Sequence, residues 1–240
     1  RALVGGLLSP EPAVRHEVVA ALNKLRVREP DVVIDLPTVE MALAAEVVGH
    51  YRSYQVLVTL EGEGESTALE GLRRVMDGEL ERIFRLLALL FPGHDLHSAH
   101  DGVRSDRSAV RANALEFLDN VLEPAELRGQ ILPLVDDQVS VTRRAAAGRR
   151  ITGTTVRSPE QAVRTLLASD DPWLRSCGIH AIGTFRLTDL EATLDEALAS
   201  EDERTREAAR AAKARLHPDD GEPVHGTEDA PHWRSGAAGV

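Results

Sequence analysis

Aromatic residues make up only 3% of this chain, and cysteine occurs once, at Cys177. So few large rings exclude an aromatic core, and packing must come from Ala, Leu and Val, which let helices approach closely. A single cysteine excludes an internal disulfide and a zinc site built from several thiolates; Cys177 reads as a small buried residue in the helix after Pro172, and a reducing compartment fits. No apolar run reaches the roughly 20 residues needed to cross a bilayer, since the best candidate, Ile83 to Phe91, contains Arg85 and ends at Pro92. Basic charge is in deficit too: 28 Lys and Arg stand against 39 Asp and Glu, a net charge of -11. That balance opposes attraction to phosphate backbones and anionic surfaces, so neither nucleic acid nor direct membrane insertion is expected. The chain opens on Arg1 inside an apparent helix, without an initiating Met or a signal peptide, and reads as a piece of a longer protein.

What is present is helical periodicity. In the stretch Val110 to Leu122, the apolar residues Val110, Ala114, Phe117, Leu118, Val121 and Leu122 fall at helical spacing, leaving Arg111, Asn113, Glu116 and Asp119 outside. Looser copies of its opening recur at Ala13-Val14-Arg15, Arg143-Arg144-Ala145, Trp173-Leu174-Arg175 and Arg204-Thr205-Arg206, with a Ser or Asp upstream. From Arg111 onward the copies follow at about 32 residues. A chain of 240 residues is not forced into two domains when it grows by adding such units. The expected fold is all-α, a stack of helix pairs with no strand.

Four segments follow. Residues 1–35 hold the first helices, with Ser9-Pro10-Glu11-Pro12 as a helix start whose serine can accept from an orphan N–H. Residues 36–93 carry two apolar seams, Leu36 to Leu57 and Leu69 to Leu90, on either side of Gly62-Glu63-Gly64. These predict a hairpin of two helices of about 25 residues, roughly 37 Å each, that either protrudes from the stack or braces it; Gly78 is a possible kink point. Residues 94–216 hold a short helix and then the repeats, with Pro124, Ser158, Asp171, Thr188 and Ser200-Glu201-Asp202-Glu203 marking helix starts and Pro133 expected to distort a last turn. Residues 217–240 are rich in Pro, Gly, Asp and Glu, lack periodicity, and read as a disordered tail.

Helix pairs with an Asp or Ser start, an apolar-Arg opening and an Ala-rich first helix resemble HEAT-like repeats, over Ser105 to Leu216 and more loosely over Ser9 to Leu25. The period is shorter than the roughly 40 to 47 residues usual for HEAT, and the TPR and ankyrin patterns are missing. The resemblance implies an α-solenoid of HEAT-like pairs with one long hairpin inserted. Within it, Gly78-Glu79-Leu80-Glu81-Arg82-Ile83-Phe84-Arg85-Leu86-Leu87 and Arg111-Ala112-Asn113-Ala114-Leu115-Glu116-Phe117-Leu118-Asp119-Asn120 look like the HEAT-like region carried by some bacterial proteins after a membrane part. That membrane part is related to ATP/ADP translocases and major-facilitator transporters. This implies a cytoplasmic regulatory or docking module, attached to a membrane only through an upstream region.

Three sets of residues are candidates for chemistry. His94, His97 and His100, with Asp95 and Asp101, have ligand types at helical spacing, but steps of three drift around a helix, and polar residues at a helix start are the ordinary reading. His16-Glu17 is similar to the His-Glu dyads of HEAT-repeat deoxyhypusine hydroxylases, which use several dyads where this chain has one. Arg111, Arg143, Arg175 and Arg206 recur in register and could form a ladder for a partner's carboxylates, or pair with Asp106, Asp137, Asp171 or Asp202 to orient helix starts. HEAT-like DNA glycosylases need a basic concave face, and only Arg143-Arg144 with Arg149-Arg150 is densely basic. The expectation is therefore a non-catalytic scaffold or protein-interaction module without a cofactor, metal site or catalytic residue. Its partner would be another protein or an upstream part of the same polypeptide; the alternative is a HEAT-like lyase or metal-dependent modification enzyme.

Overall fold

The computed structural model describes residues 2–62 and 67–218. Among the described residues there are twelve α-helices and no strand. They are α1 (Ala2–Gly5), α2 (Pro12–Arg28), α3 (Leu36–Glu61), α4 (Thr67–Leu90), α5 (Leu96–Val103), α6 (Ser108–Val121), α7 (Ala125–Val135), α8 (Val141–Thr152), α9 (Pro159–Leu167), α10 (Pro172–Thr184), α11 (Glu191–Leu198) and α12 (Glu203–Leu216), with 3-10 turns at Gly6–Leu8 and Thr188–Leu190. Pro133 lies inside α7, and α4 stays helical through Gly78. The tail reading over 217–240 and the turn at Glu63-Gly64 fall almost wholly outside the described residues.

The hairpin braces the molecule. α3, 26 residues long, packs on α4 along one side and on α8 and α9 along the other, while α4 receives α2, α5 and α10. Around its middle α3 is largely buried: His50, Tyr51, Ser53, Tyr54, Gln55, Val56 and Leu57 are enclosed, and Arg52 is exposed between them, as expected of a helix with neighbours on most of its faces. One continuous hydrophobic core runs from Val4 to Leu216, so segments 1–35, 36–93 and 94–216 share it.

Close approach depends on missing side chains. A methyl at Gly148 of α8 would stand 2.7 Å from the Tyr51 carbonyl oxygen, so only glycine lets α8 lie this near α3. One at Gly71 of α4 would collide with Cys177 Sγ on α10. Burial pushes that thiol up to about 11, in keeping with a packing residue. Polar contacts pin α3 to α7, to α8 and to the segment after α8: Tyr51 donates to the Gln130 carbonyl at 2.8 Å, Arg144 donates to the Tyr54 hydroxyl at 2.9 Å, and Gln55 accepts from the Val156 amide at 3.3 Å.

The turns entering α2, α6, α8, α10 and α12 share one device. At Ser9, Ser105, Ser169 and Ser200 the hydroxyl accepts from the amide two residues on, at 3.1 to 3.3 Å. The arginine six residues on, Arg15, Arg111, Arg175 or Arg206, donates from Nη1 to that serine's carbonyl at 2.7 to 2.8 Å. In the remaining copy Asp136 takes the serine's place, accepting from the Gln138 amide at 2.9 Å, and Arg144 donates to its carbonyl at 2.8 Å. Each of these arginines is the fourth residue of its helix, α2, α6, α8, α10 or α12. A side chain thus satisfies the local turn and a cation neutralises the carbonyls left at the end of the preceding element.

Candidate functional site

The small residues of α3 open a groove of about 890 Å³ between the turn at Leu7–Pro12, α3 and the α9–α10 corner. Ala42, Ala45, Gly49, Ser53 and Val56 form its floor, at spacings that share a helix face. Its far wall carries Thr154, Thr155, Gln161, Thr165 and Ser169. Gly49 is the informative position. A methyl built there would meet nothing within 4 Å, although glycine inside a helix costs about 1 kcal/mol against alanine. Packing does not require glycine at this place, and the backbone there lies open to the groove.

Beneath the floor lies a buried polar cluster built from one stripe of α3 (Glu46, His50, Ser53) and one of α4 (Glu79, Arg82). Arg82 donates twice to Glu46, from Nε and Nη2, both at 3.0 Å, and Arg15 of α2 adds a third bond at 2.7 Å. Glu79 accepts from His50 Nδ1 at 2.8 Å and from the Ser53 hydroxyl at 3.1 Å. Glu46, Ser53 and Glu79 line the groove, whereas His50 is 2% exposed, its Nε2 enclosed without a partner and its ring edge-on to Tyr54. The carboxylates are thus oriented and largely saturated from within. Ser53 donates its hydroxyl proton to Glu79, which His50 holds from the other oxygen. On the rim, Arg52 and Asp170 are exposed and of opposite sign.

The residues singled out in the sequence are dispersed. Asp95 caps α5 by accepting from the Ser98 amide at 2.9 Å, which holds its carboxyl below the usual range. His97 is 83% exposed and 3.8 Å from Asp101, His94 meets the edge of Phe117, and His100 packs on Phe84 at 4.9 Å, where burial lowers its pKa. Among the described residues no three of His, Cys, Asp and Glu come together as a metal-holding group. His16 is half-buried and Glu17 exposed on α2. Arg111 pairs with Asp137 at 2.8 Å; Arg175 and Arg206 are held by the turn carbonyls, and Arg206 also meets Glu203. In the α8 copy the register is corrected by one residue: Arg144 does what Arg143 was aligned to do, and Arg143, Arg149 and Arg150 are exposed. The buried cluster was not singled out, although Glu46, His50 and Ser53 stand on one face of α3 at spacings of four and three.

Comparison of the chain with family models, with curated proteins and with solved structures gave no match.

Proposed function

We propose that this chain is a HEAT-like helical-repeat module that binds, without catalysis, a polypeptide segment of a protein partner in the groove along α3. The observation that carries the reading is Gly49, a helix-interior glycine without a packing neighbour on the floor of a groove about 890 Å³ in volume. The repeated serine–arginine turn supports the repeat assignment, since five copies at the fourth residue of a helix are what duplicated units would retain. A peptide fits the lining: on one wall the exposed Thr155 hydroxyl and the Gln161 side-chain NH2 can meet main-chain groups, small residues leave room for side chains, and Arg52, Arg164 and Asp170 offer charge of both signs. The Glu46 carboxylate, held by Arg82 and Arg15 and joining three helices, is engaged in fastening α2, α3 and α4 together, which supports a structural role for the cluster beneath a binding groove. As the regulatory or docking part of a larger, transporter-like protein, such a module would act by holding a segment of its partner.

The test is a peptide-display selection on the purified chain, counter-selected on Gly49→Trp, whose indole would project into the groove from a position where a Cβ meets nothing within 4 Å. The reading expects peptides that bind the wild type and lose at least roughly tenfold in affinity on the variant, a difference of about 1.4 kcal/mol. Recovery of peptides indifferent to Gly49→Trp, or of none at all, would contradict it.

A further inference from the structure

A second cavity, about 380 Å³, lies on the other side of α4, where α2, α4 and α5 meet. Each helix gives it one stripe. Ala20, Asn23, Lys24, Val27 and Arg28 stand at i, i+3, i+4, i+7 and i+8 of α2; Glu81, Phe84, Arg85 and Ala88 repeat that spacing on α4; His97 and His100 come from α5. The floor is apolar. Phe84 and Ala20 are buried, Ala88 is half-buried, and the His100 ring lies on Phe84 with its Nε2 enclosed. Val27, 81% exposed, forms a lip with no helix over it.

The charge around this floor runs against that of the chain. Three cations, Lys24, Arg28 and Arg85, face one lining carboxylate, Glu81, with Asp101 outside the lining beside His97 and His100, in a protein of net charge -11. Glu81 is already committed to Arg85, which donates from Nε at 3.1 Å and Nη2 at 2.6 Å. Among the described residues Lys24 and Arg28 have no ion-pair partner, and both are exposed at the mouth. An apolar floor with a few convergent polar groups, in this volume range, is the form of a small-molecule site. The cationic mouth selects an anionic head, and the floor selects an unbranched or flat apolar body. The stripe from Ala20 to Arg28 runs about 12 Å along α2, the length of a medium-chain acid.

We infer that the cavity between α2, α4 and α5 binds a small amphipathic carboxylate, with its chain on Phe84 and Ala88 and its head at Lys24 and Arg28. The site is separate from the groove along α3 and stands or falls independently of it.

The test uses the full chain with sodium octanoate, octylammonium chloride and octanol, followed by titration calorimetry and amide NMR shifts. Octanoate should bind one to one and shift the amides around Ala20–Arg28 and Glu81–Ala88, with octylammonium and octanol weaker by roughly tenfold or more. Lys24→Glu with Arg28→Glu, both at exposed positions that leave folding intact, should remove the preference for the acid, and Ala88→Leu should weaken all three ligands. Equal affinity for acid and amine, insensitivity to the double charge reversal, shifts located elsewhere, or no binding at millimolar octanoate would each overturn the assignment.

Discussion

Arg82 lays both edges of its guanidinium on Glu46, Nε to Oε1 and Nη2 to Oε2 at 3.0 Å each, with less than a tenth of either residue exposed. This bidentate pair joins α4 to α3 under the groove, and Arg15 approaches the same carboxylate from α2. Removing Arg82 takes two charge-assisted bonds from the buried Glu46 and leaves it with Arg15 alone. Arg82→Leu should therefore lose about 1.5 to 3 kcal/mol of unfolding free energy. Arg15→Leu, whose side chain is 24% exposed, should lose much less. Urea unfolding checks the order, and equal losses would mean that the pair is not the main fastening between the two helices.

The serine–arginine turn separates two neighbouring arginines that composition cannot tell apart. Arg144 bonds the Pro133 and Asp136 carbonyls and the Tyr54 hydroxyl, while the Arg143 side chain is exposed. Arg144→Met should cost about 1.5 to 3 kcal/mol, and Arg143→Met should stay within about 0.5. The reverse order in thermal or denaturant unfolding would restore the register read from the sequence.

Two helix-interior glycines should respond in opposite directions to alanine. Gly49→Ala meets open space and should gain about 0.5 to 1 kcal/mol from helix propensity. Gly148→Ala drives a methyl toward the Tyr51 carbonyl and should lose about 1 to 3 kcal/mol. A loss at Gly49 would mean that its groove is closed by packing.

Burial lowers the imidazoles of His100 and His180 below the ordinary 6.5, with Arg104 and Arg215 acting in the same direction. The unfolded chain then takes up protons first. The stabilisation is complete above the unfolded value and is lost as pH falls through the depressed folded values. The melting temperature should fall between about pH 7.5 and about pH 5.5, and His100→Gln with His180→Gln should flatten the slope. Asp95 and the other carboxyls with lowered values titrate below this window. A melting temperature that rises on acidification would contradict the sign.

Much of the fold was legible because its causes are local. Apolar spacing placed α3, α4 and α6, and side-chain starts at Ser158 and Asp171 became caps bonded to the Gln161 and Trp173 amides. Where the hairpin sits was not legible. Its seams predict two helices facing each other, but the second partner of α3 is admitted by Gly148, and a glycine does not announce which backbone will approach it. The groove escaped for a related reason: its floor is Ala45, Gly49 and Ser53, residues chosen for what they leave empty. The buried cluster left a weak trace, because Glu46 and Arg82 are complementary only when α3 and α4 are already aligned.

The most direct measurement places a photo-crosslinking benzoylphenylalanine at Arg52, on the groove rim, in the intact protein in its own cells, with Arg210 on the exposed face of α12 as the comparison site. If the groove holds a partner's segment, illumination yields a defined polypeptide adduct from position 52 that disappears when Gly49→Trp is added, and none from position 210. No polypeptide adduct at 52, an adduct that survives Gly49→Trp, or the same adduct from both sites would contradict a groove built for binding.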